Sequence, residues 1–418
     1  MNHSCESASE KIKAIMEWVA TYEHLSPDRI LLGSTVIPKE LQADVVRQLT
    51  YRGKMLLKYP SLVSKRIFLP AGISYEQASS EATALYKQNY VHEGEILVDG
   101  TGGLGIDFVA MAKLAHTATY IERKGFFVEA ARYNLPRLLE GKKDLVLSIL
   151  HADMNDCLDR VVREGTTLFY FDPARRSETG RRTYGLQDIV PNPLTVCTRL
   201  NELGYQGRVL IKLSPMVDVT DTLRQMPKVS FIEIVVSQGE VKELLVFIER
   251  WDRERSEGEI PIKVTTLTSE GKAEHFFIGT LQEERGQALS IATEVGKYLY
   301  LPHAGAFKSG LYRTIAHRWR VKSLHPNSHL YTSERLCIDF PGKVYQIVEE
   351  IPFSSGVLKR LKKSIPRANF SARNFPLKPE QFYAKSGIKS GDEVRLFGTT
   401  IYDDTLVILR VQPVEHTS

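Results

Sequence analysis

Cysteine is scarce. Cys5, Cys157, Cys197 and Cys337 are spread over 418 residues, and none belongs to a CxxC pair. That excludes a zinc knuckle or a disulfide framework, and the expected state is four reduced thiols in a cytoplasmic protein with no metal. Long apolar runs are missing as well. No stretch approaches the ~20 residues that span a bilayer, so no membrane partner is expected. The N-terminal MNHSCESASEKIKAIMEW has no apolar signal core. Internal repeats and low-complexity tracts are also lacking. What is present is ordinary globular material, 43% hydrophobic and 25% charged, which excludes disorder as the dominant state.

Charge is unevenly placed. The net charge is +5, yet His303 to Pro413 carries 18 Lys+Arg against 9 Asp+Glu, a net of +9, while Met1 to Pro302 is net −3. A basic C-terminal part suits a polyanionic partner, or else a solvated basic surface.

Three textures follow one another. Residues 1–90 read as helices with apolar residues recurring at three and four, as in Glu10–Glu23 and Lys39–Leu57. From Glu95 short strands alternate with helices: Ile96–Asp99, Ala118–Glu122, Leu145–Leu150, Leu168–Asp172, Val209–Leu213, Phe231–Val236 and Leu244–Glu249. Intervening helices predict a parallel sheet with right-handed crossovers. Only Ser237–Glu243 separates the last two strands, too few residues for a helical crossover, so these two form an antiparallel hairpin. The fold class is therefore α/β, a Rossmann-like seven-stranded sheet with an antiparallel terminal hairpin over 91–251. It is preceded by a helical region and followed by small α+β domains over 261–340 and 341–413. Pro261–Gly279 reads as two strands with a turn at Ser269-Glu270-Gly271.

The chemistry concentrates at strand ends. Asp99-Gly100-Thr101-Gly102-Gly103-Leu104-Gly105 follows the first strand and opens a helix. Such glycines let the chain turn sharply, with or without a ligand, and Gly100 to Gly105 formally satisfies the dinucleotide pattern GxGxxG. Asp99 argues against a dinucleotide, because a carboxylate beside a pyrophosphate is repelled. S-adenosylmethionine carries a sulfonium and an ammonium and no phosphate, so the same carboxylate favours it. Glu122 ends the second strand, where an acid can hold ribose hydroxyls of either cofactor. Asp153 ends the third, placed to accept from an adenine amino group with Met154 against the ring, or simply to cap the next helix. The fourth strand delivers Asp172-Pro173-Ala174-Arg175-Arg176. Asp172 can accept from a target amine or hold the donor, Pro173 fixes the exit, and Arg175 with Arg176 can clamp a phosphate or form surface ion pairs. Arg181, Arg182 and Tyr184 lie in the long loop that follows. The fifth strand ends Lys212-Leu213-Ser214-Pro215 without the cysteine that a covalent attack on a pyrimidine would want.

Together these residues resemble class I S-adenosylmethionine-dependent methyltransferases over about Ser74–Glu249. More narrowly, Gln77-Ala78-Ser79-Ser80-Glu81, the glycine turn and Asp172-Pro173-Ala174-Arg175-Arg176 are similar to a bacterial group that carries a ferredoxin-like segment and a C-terminal THUMP-like domain. About Gln282–Ser323 resembles the segment and Lys343–Pro413 the domain. The resemblance implies S-adenosylmethionine as cofactor and RNA as substrate, with Asp99 and the Gly100–Gly105 backbone on the donor's amino-acid end. It places Gln77 and Ser80 beside the site. Ala174 and Arg175 stand where amino-methylating enzymes often carry a second proline and an aromatic ring, so the target atom stays open. In the C-terminal module Lys359, Arg360, Lys362, Lys363 and Arg367 can meet phosphates and Phe370 can stack on a base. The alternatives are an RNA-binding protein that keeps the donor as a structural ligand, a methyltransferase of protein or small molecules, and a nicotinamide oxidoreductase.

Overall fold

The computed structural model describes residues 3–32, 36–70, 78–175 and 185–414. Gln77, Arg176, Arg181, Arg182 and Tyr184, singled out above, lie outside the described residues, as does the side chain of Arg175. Two compact units emerge. The first holds Met1–Gln238, Lys242–Ser256 and Thr266–Glu274, and the second Gly239–Val241, Glu257–Thr265 and His275–Ser418. No helix among the described residues is long and apolar enough to cross a membrane.

The sheet of the first unit forms because its strands are apolar runs that can be buried on both faces. They are β1 (Glu95–Asp99), β2 (Ala115–Glu122), β3 (Val146–His151), β4 (Leu168–Phe171), β5 (Arg208–Leu213), β6 (Phe231–Ser237) and β7 (Glu240–Ile248). β1, β2, β3, β4 and β5 pair in parallel, and β7 runs antiparallel to β5. β6 and β7 are joined through Gln238 and Gly239, both at positive φ, as the twist of a tight hairpin requires. β8 (Ile262–Leu267) and β9 (Ala273–Gly279) form the expected hairpin but do not stand apart: they continue this sheet, giving nine strands in the order β9-β8-β6-β7-β5-β4-β1-β2-β3. The order reverses direction at β1, and a sheet of this kind binds ligands at the carboxyl ends beside such a reversal.

The helices around it follow from the same pattern. α1 (His3–Tyr22), α2 (Pro27–Leu32) and α3 (Lys39–Lys58) bury Ile12, Ile15, Val19, Ile30 and Val45 in a common core that includes Ala130. Ala130 belongs to α7 (Gly125–Leu138), which follows β2. A short α4 (Pro60–Val63) precedes α5 (Glu81–Tyr86). α6 (Ile106–Ala112) follows the glycine turn with all seven residues buried.

In the second unit a seven-stranded sheet runs β11-β12-β10-β13-β16-β15-β14. Its strands are β10 (Tyr298–Pro302), β11 (Lys322–Ser323), β12 (Tyr331–Ser333), β13 (Gly342–Pro352), β14 (Arg367–Arg373), β15 (Lys389–Thr400) and β16 (Leu406–Pro413). β14 and β15 are parallel; the remaining paired strands are antiparallel. Phe370 on β14 is 4% exposed and stacks on Phe382 at 3.7 Å with rings 2° apart. It is part of the core and cannot stack on a base, which corrects the expectation above.

Candidate active site

The glycine turn wraps β1 into α6, and five of its N–H groups are bonded within the protein. Gly100 donates to the Tyr170 carbonyl at 2.9 Å, Gly102 to Ile121 at 2.9 Å and Gly105 to Gly102 at 2.8 Å. Gly103 N–H donates to Glu122 at 3.0 Å and Thr101 N–H to Asp99 at 2.9 Å. The carboxylates of Asp99 and Glu122 thus stand on two of these N–H groups, where they would repel a pyrophosphate and favour a cation. Glycine is required where the backbone is closest to its neighbours: a Cβ on Gly102 would lie 2.1 Å from the ring of Tyr120, and one on Gly100 2.4 Å from the Met154 sulfur. The Tyr120 ring is fully buried and its hydroxyl donates to the Gly103 carbonyl at 2.6 Å, so it cannot yield. Gly102→Ala is expected to cost about 1–3 kcal/mol of stability. Gly53→Ala, in α3 with open space around the site, is the control and should be neutral or slightly stabilising; urea unfolding compares the two.

A cavity of about 260 Å³ opens beside this turn. Ser79, Asp99, Thr101, Gly103, Asp107, Lys124, Phe127, Tyr170, Asp172 and Lys212 are among its lining residues. Thr101 ties two of its three acids together. Its hydroxyl accepts from the Asp172 backbone N–H at 2.6 Å and points to Asp99 at 3.5 Å. Asp99 is 2% exposed, and burial raises its pKa well above the usual carboxylate value, against the Thr101 bond that lowers it. No ion pair reaches Asp99 among the described residues. Burial likewise pushes the Asp172 carboxyl up, and its ion pair with Lys212 opposes that shift.

Lys212 and Asp107 line the cavity and, with Lys87, form a charged network that sequence reasoning missed. Asp107, in the first turn of α6, accepts from the Ser79 hydroxyl and the Tyr170 hydroxyl, each at 2.7 Å. Lys87 approaches it at 3.1 Å and Lys212 at 3.6 Å. Lys87, fully buried, also donates to Glu243 at 2.5 Å. The result is a buried chain of alternating charge, Asp172–Lys212–Asp107–Lys87–Glu243. Burial alone raises the Asp107 pKa, but the two lysines outweigh it and hold the carboxyl well below its ordinary range. For Lys212 burial disfavours the charge, and Asp172, Asp107 and Glu243 reverse the balance and raise its pKa. The signal was present as a lysine inside the apolar strand RVLIKL and an acid inside the apolar helix IDFVAMA.

Other expected residues fall elsewhere. Ser80 caps α5, accepting from Thr83 N–H at 3.2 Å, and its neighbour Ser79 is the serine that lines the cavity. Asp153 caps α8 (Met154–Arg163), accepting from Asn155 N–H at 2.9 Å, and neither it nor Met154 lines the cavity. The cap uses one carboxylate oxygen of Asp153. Glu122 sits under the rim and also accepts from Lys124 N–H at 2.8 Å. Pro173 is buried behind Asp172. Lys359, Arg360, Lys362 and Lys363 lie exposed on α14 (Ser355–Ser364), and Arg367 is exposed at the start of β14. No group of His, Cys, Asp or Glu among the described residues is arranged to hold a metal ion.

A parallel-rich sheet with its strand order reversed at β1, a terminal antiparallel strand and an acid-lined cavity at the strand ends define a class I methyltransferase. The chain is 38% identical to a crystal structure described as "putative methyltransferase from Porphyromonas gingivalis W83", over 97% of this chain and 99% of that one, with a TM-score of 0.89. It belongs to that methyltransferase family. Family models agree: "N-terminal domain in putative methyltransferase" matches residues 7–51, "ferredoxin-like domain" 298–341 and "THUMP domain-like" 342–411. An rRNA methylase of Streptococcus thermophilus shares 18% identity over 41% of this chain and 94% of its own, with a TM-score of 0.28. A T. Thermophilus 16S rRNA N2 G1207 methyltransferase, solved with AdoMet and guanosine, shares 14% over 44% of this chain and 46% of its own, with a TM-score of 0.32. No curated protein matches the sequence.

Proposed function

We propose that this methyltransferase uses S-adenosylmethionine and acts on RNA. The observation that carries the donor reading is the buried Asp99, which has no ion pair among the described residues, set in a glycine turn with five of its N–H groups already bonded within the protein. Such a wall attracts a cation. Bound there, S-adenosylmethionine would supply an activated methyl group on a sulfonium.

The chain's own residues then divide the work. Asp99 and the turn carbonyls accept from the donor's ammonium. Glu122 has lone pairs left for ribose hydroxyls beyond the two N–H groups it already holds, and Phe127 offers an apolar wall to the purine. Asp172, held by Lys212 and by Thr101, accepts a hydrogen bond from the target group. Arg175 and Arg176 are assigned to a substrate phosphate, and Gln77 to substrate binding. Methyl transfer is an in-line displacement, so these residues act mainly by positioning. The RNA reading is supported by the net charge of +9 over residues 303–413, the exposed lysines and arginine of α14, and the match to a THUMP-like model.

Incubation of the full chain with methyl-labelled donor and total RNA is the test. Label is expected in RNA, and Asp172→Asn should lower the transfer about tenfold, the worth of one hydrogen bond to a charged group, while donor binding persists. Donor binding without transfer would instead make the chain an RNA-binding protein with a structural ligand. Label found in protein or small molecules would overturn the RNA reading.

A further inference from the structure

We propose that Phe307, Tyr312 and His329 in the second unit, with the guanidinium of Arg373, form a stacking platform for an unpaired base of single-stranded RNA. The proposal rests on RNA being the substrate and supplies the base-stacking function that buried Phe370 cannot.

The three rings come from different local elements and converge. Phe307 lies on α12 (Ala304–Ser309), Tyr312 opens α13 (Tyr312–Arg318), and His329 precedes β12. Tyr312 and His329 stack with centroids 3.9 Å apart, and Phe307 meets His329 edge-on at 5.1 Å and Tyr312 at 5.7 Å. The Arg373 guanidinium carbon lies 5.3 Å from the Phe307 centroid, a cation–π contact. Packing of this quality is usual in a core, yet Phe307 is 37% exposed, Arg373 is exposed, and Tyr312 and His329 are half-buried.

The cluster is also held rigid. The Tyr312 hydroxyl donates to the Phe307 carbonyl at 3.1 Å, and Tyr331 donates to the Tyr312 carbonyl at 3.0 Å. His329 has φ of +52° and Asn374, directly after Arg373, +49°. Non-glycine residues seldom adopt that region, and the surroundings must impose it. At Asn374 they do: its amide bonds His325 at 3.0 Å, and its carbonyl accepts from Thr400 at 2.5 Å. Burial, and then Arg373, lower the His329 pKa, which favours the neutral imidazole. Glu284, an acid near Tyr312, is already occupied by the N–H groups of Arg313 and Thr314, each at 2.9 Å.

Charge selects the occupant. An exposed aromatic cluster in a segment of net charge +9 fits a polyanion that carries flat rings. Single-stranded RNA combines the two, while a duplex keeps its bases stacked inside.

The test is fluorescence anisotropy of the full chain with a labelled single-stranded oligoribonucleotide, and with its duplex form, at several salt concentrations. Phe307→Ala should weaken single-strand binding about tenfold and leave duplex binding unchanged. The slope of log affinity against log salt should also stay the same, because stacking releases no counterions. Phe307→Tyr should restore affinity, which separates stacking from misfolding. Neutralising Lys359 and Lys363 should reduce the slope. If wild type binds RNA with a steep salt slope but Phe307→Ala and Tyr312→Ala bind equally well, the platform is wrong and the RNA reading stands. If Phe307→Ala weakens single strand and duplex alike, the cluster is structural and the platform is likewise wrong. If wild type binds no RNA at all, both readings fall.

Discussion

Lys87→Met is expected to destabilise the first unit by about 3–5 kcal/mol, the usual cost of removing one partner from a buried ion pair. Lys87 is 0% exposed and its ammonium lies between Asp107 and Glu243. Methionine fills the space but leaves two buried carboxylates facing each other. The pH dependence has a definite sign. Asp107 has a depressed pKa in the folded protein, so its stabilising contribution is present above the unfolded value and is lost as pH falls through the folded one. In the variant that depression is weakened, and protonation relieves the repulsion. The gap between wild type and variant should therefore be widest at neutral pH and close toward acid. Urea unfolding at several pH values measures it. Glu243→Gln in the Lys87→Met background should recover part of the loss, since the two sites share a network.

This network also marks the limit of what the sequence reveals. The strands of the first unit are legible because apolar runs between helices leave little choice of class, and the β6–β7 hairpin is legible because its connection is too short for anything else. Asp99, the glycine turn and Asp172-Pro173 are legible because they sit where strands end. Lys87 and Glu243 are 156 residues apart, and only the folded sheet brings them together. Lys212 looks out of place in an apolar strand until its acids appear. Phe370 was misjudged for a different reason. On β14 the even positions Ala368 and Phe370 are buried while Asn369 and Ser371 are only partly so, and this period-two pattern assigns Phe370 to the core face in spite of its basic neighbours. Asp153 and Ser80 show short polar side chains satisfying the nearest helix N-terminus first.

Asp99→Asn is expected to weaken donor binding by about 2–3 kcal/mol, roughly 30- to 150-fold. The carboxylate is buried, has no cation beside it among the described residues, and lies in a turn that offers acceptors. Asparagine keeps the size and the bond from Thr101 but removes the charge. Two of the neighbouring acids are already paired: Asp107 is bound by two lysines and Asp172 by one.

Burial raises the pKa of the free Asp99 carboxyl well above its usual value, and a bound cation favours its ionised form. Binding of S-adenosylmethionine should therefore expel a proton, and affinity should rise with pH until the free carboxyl ionises by itself. Titration calorimetry in two buffers of different ionisation enthalpy reads this directly. The account predicts proton release on binding by the wild-type chain, and none by Asp99→Asn, together with the loss of affinity. Equal affinity in the two proteins without proton release, or tighter binding of a nicotinamide dinucleotide, would contradict it.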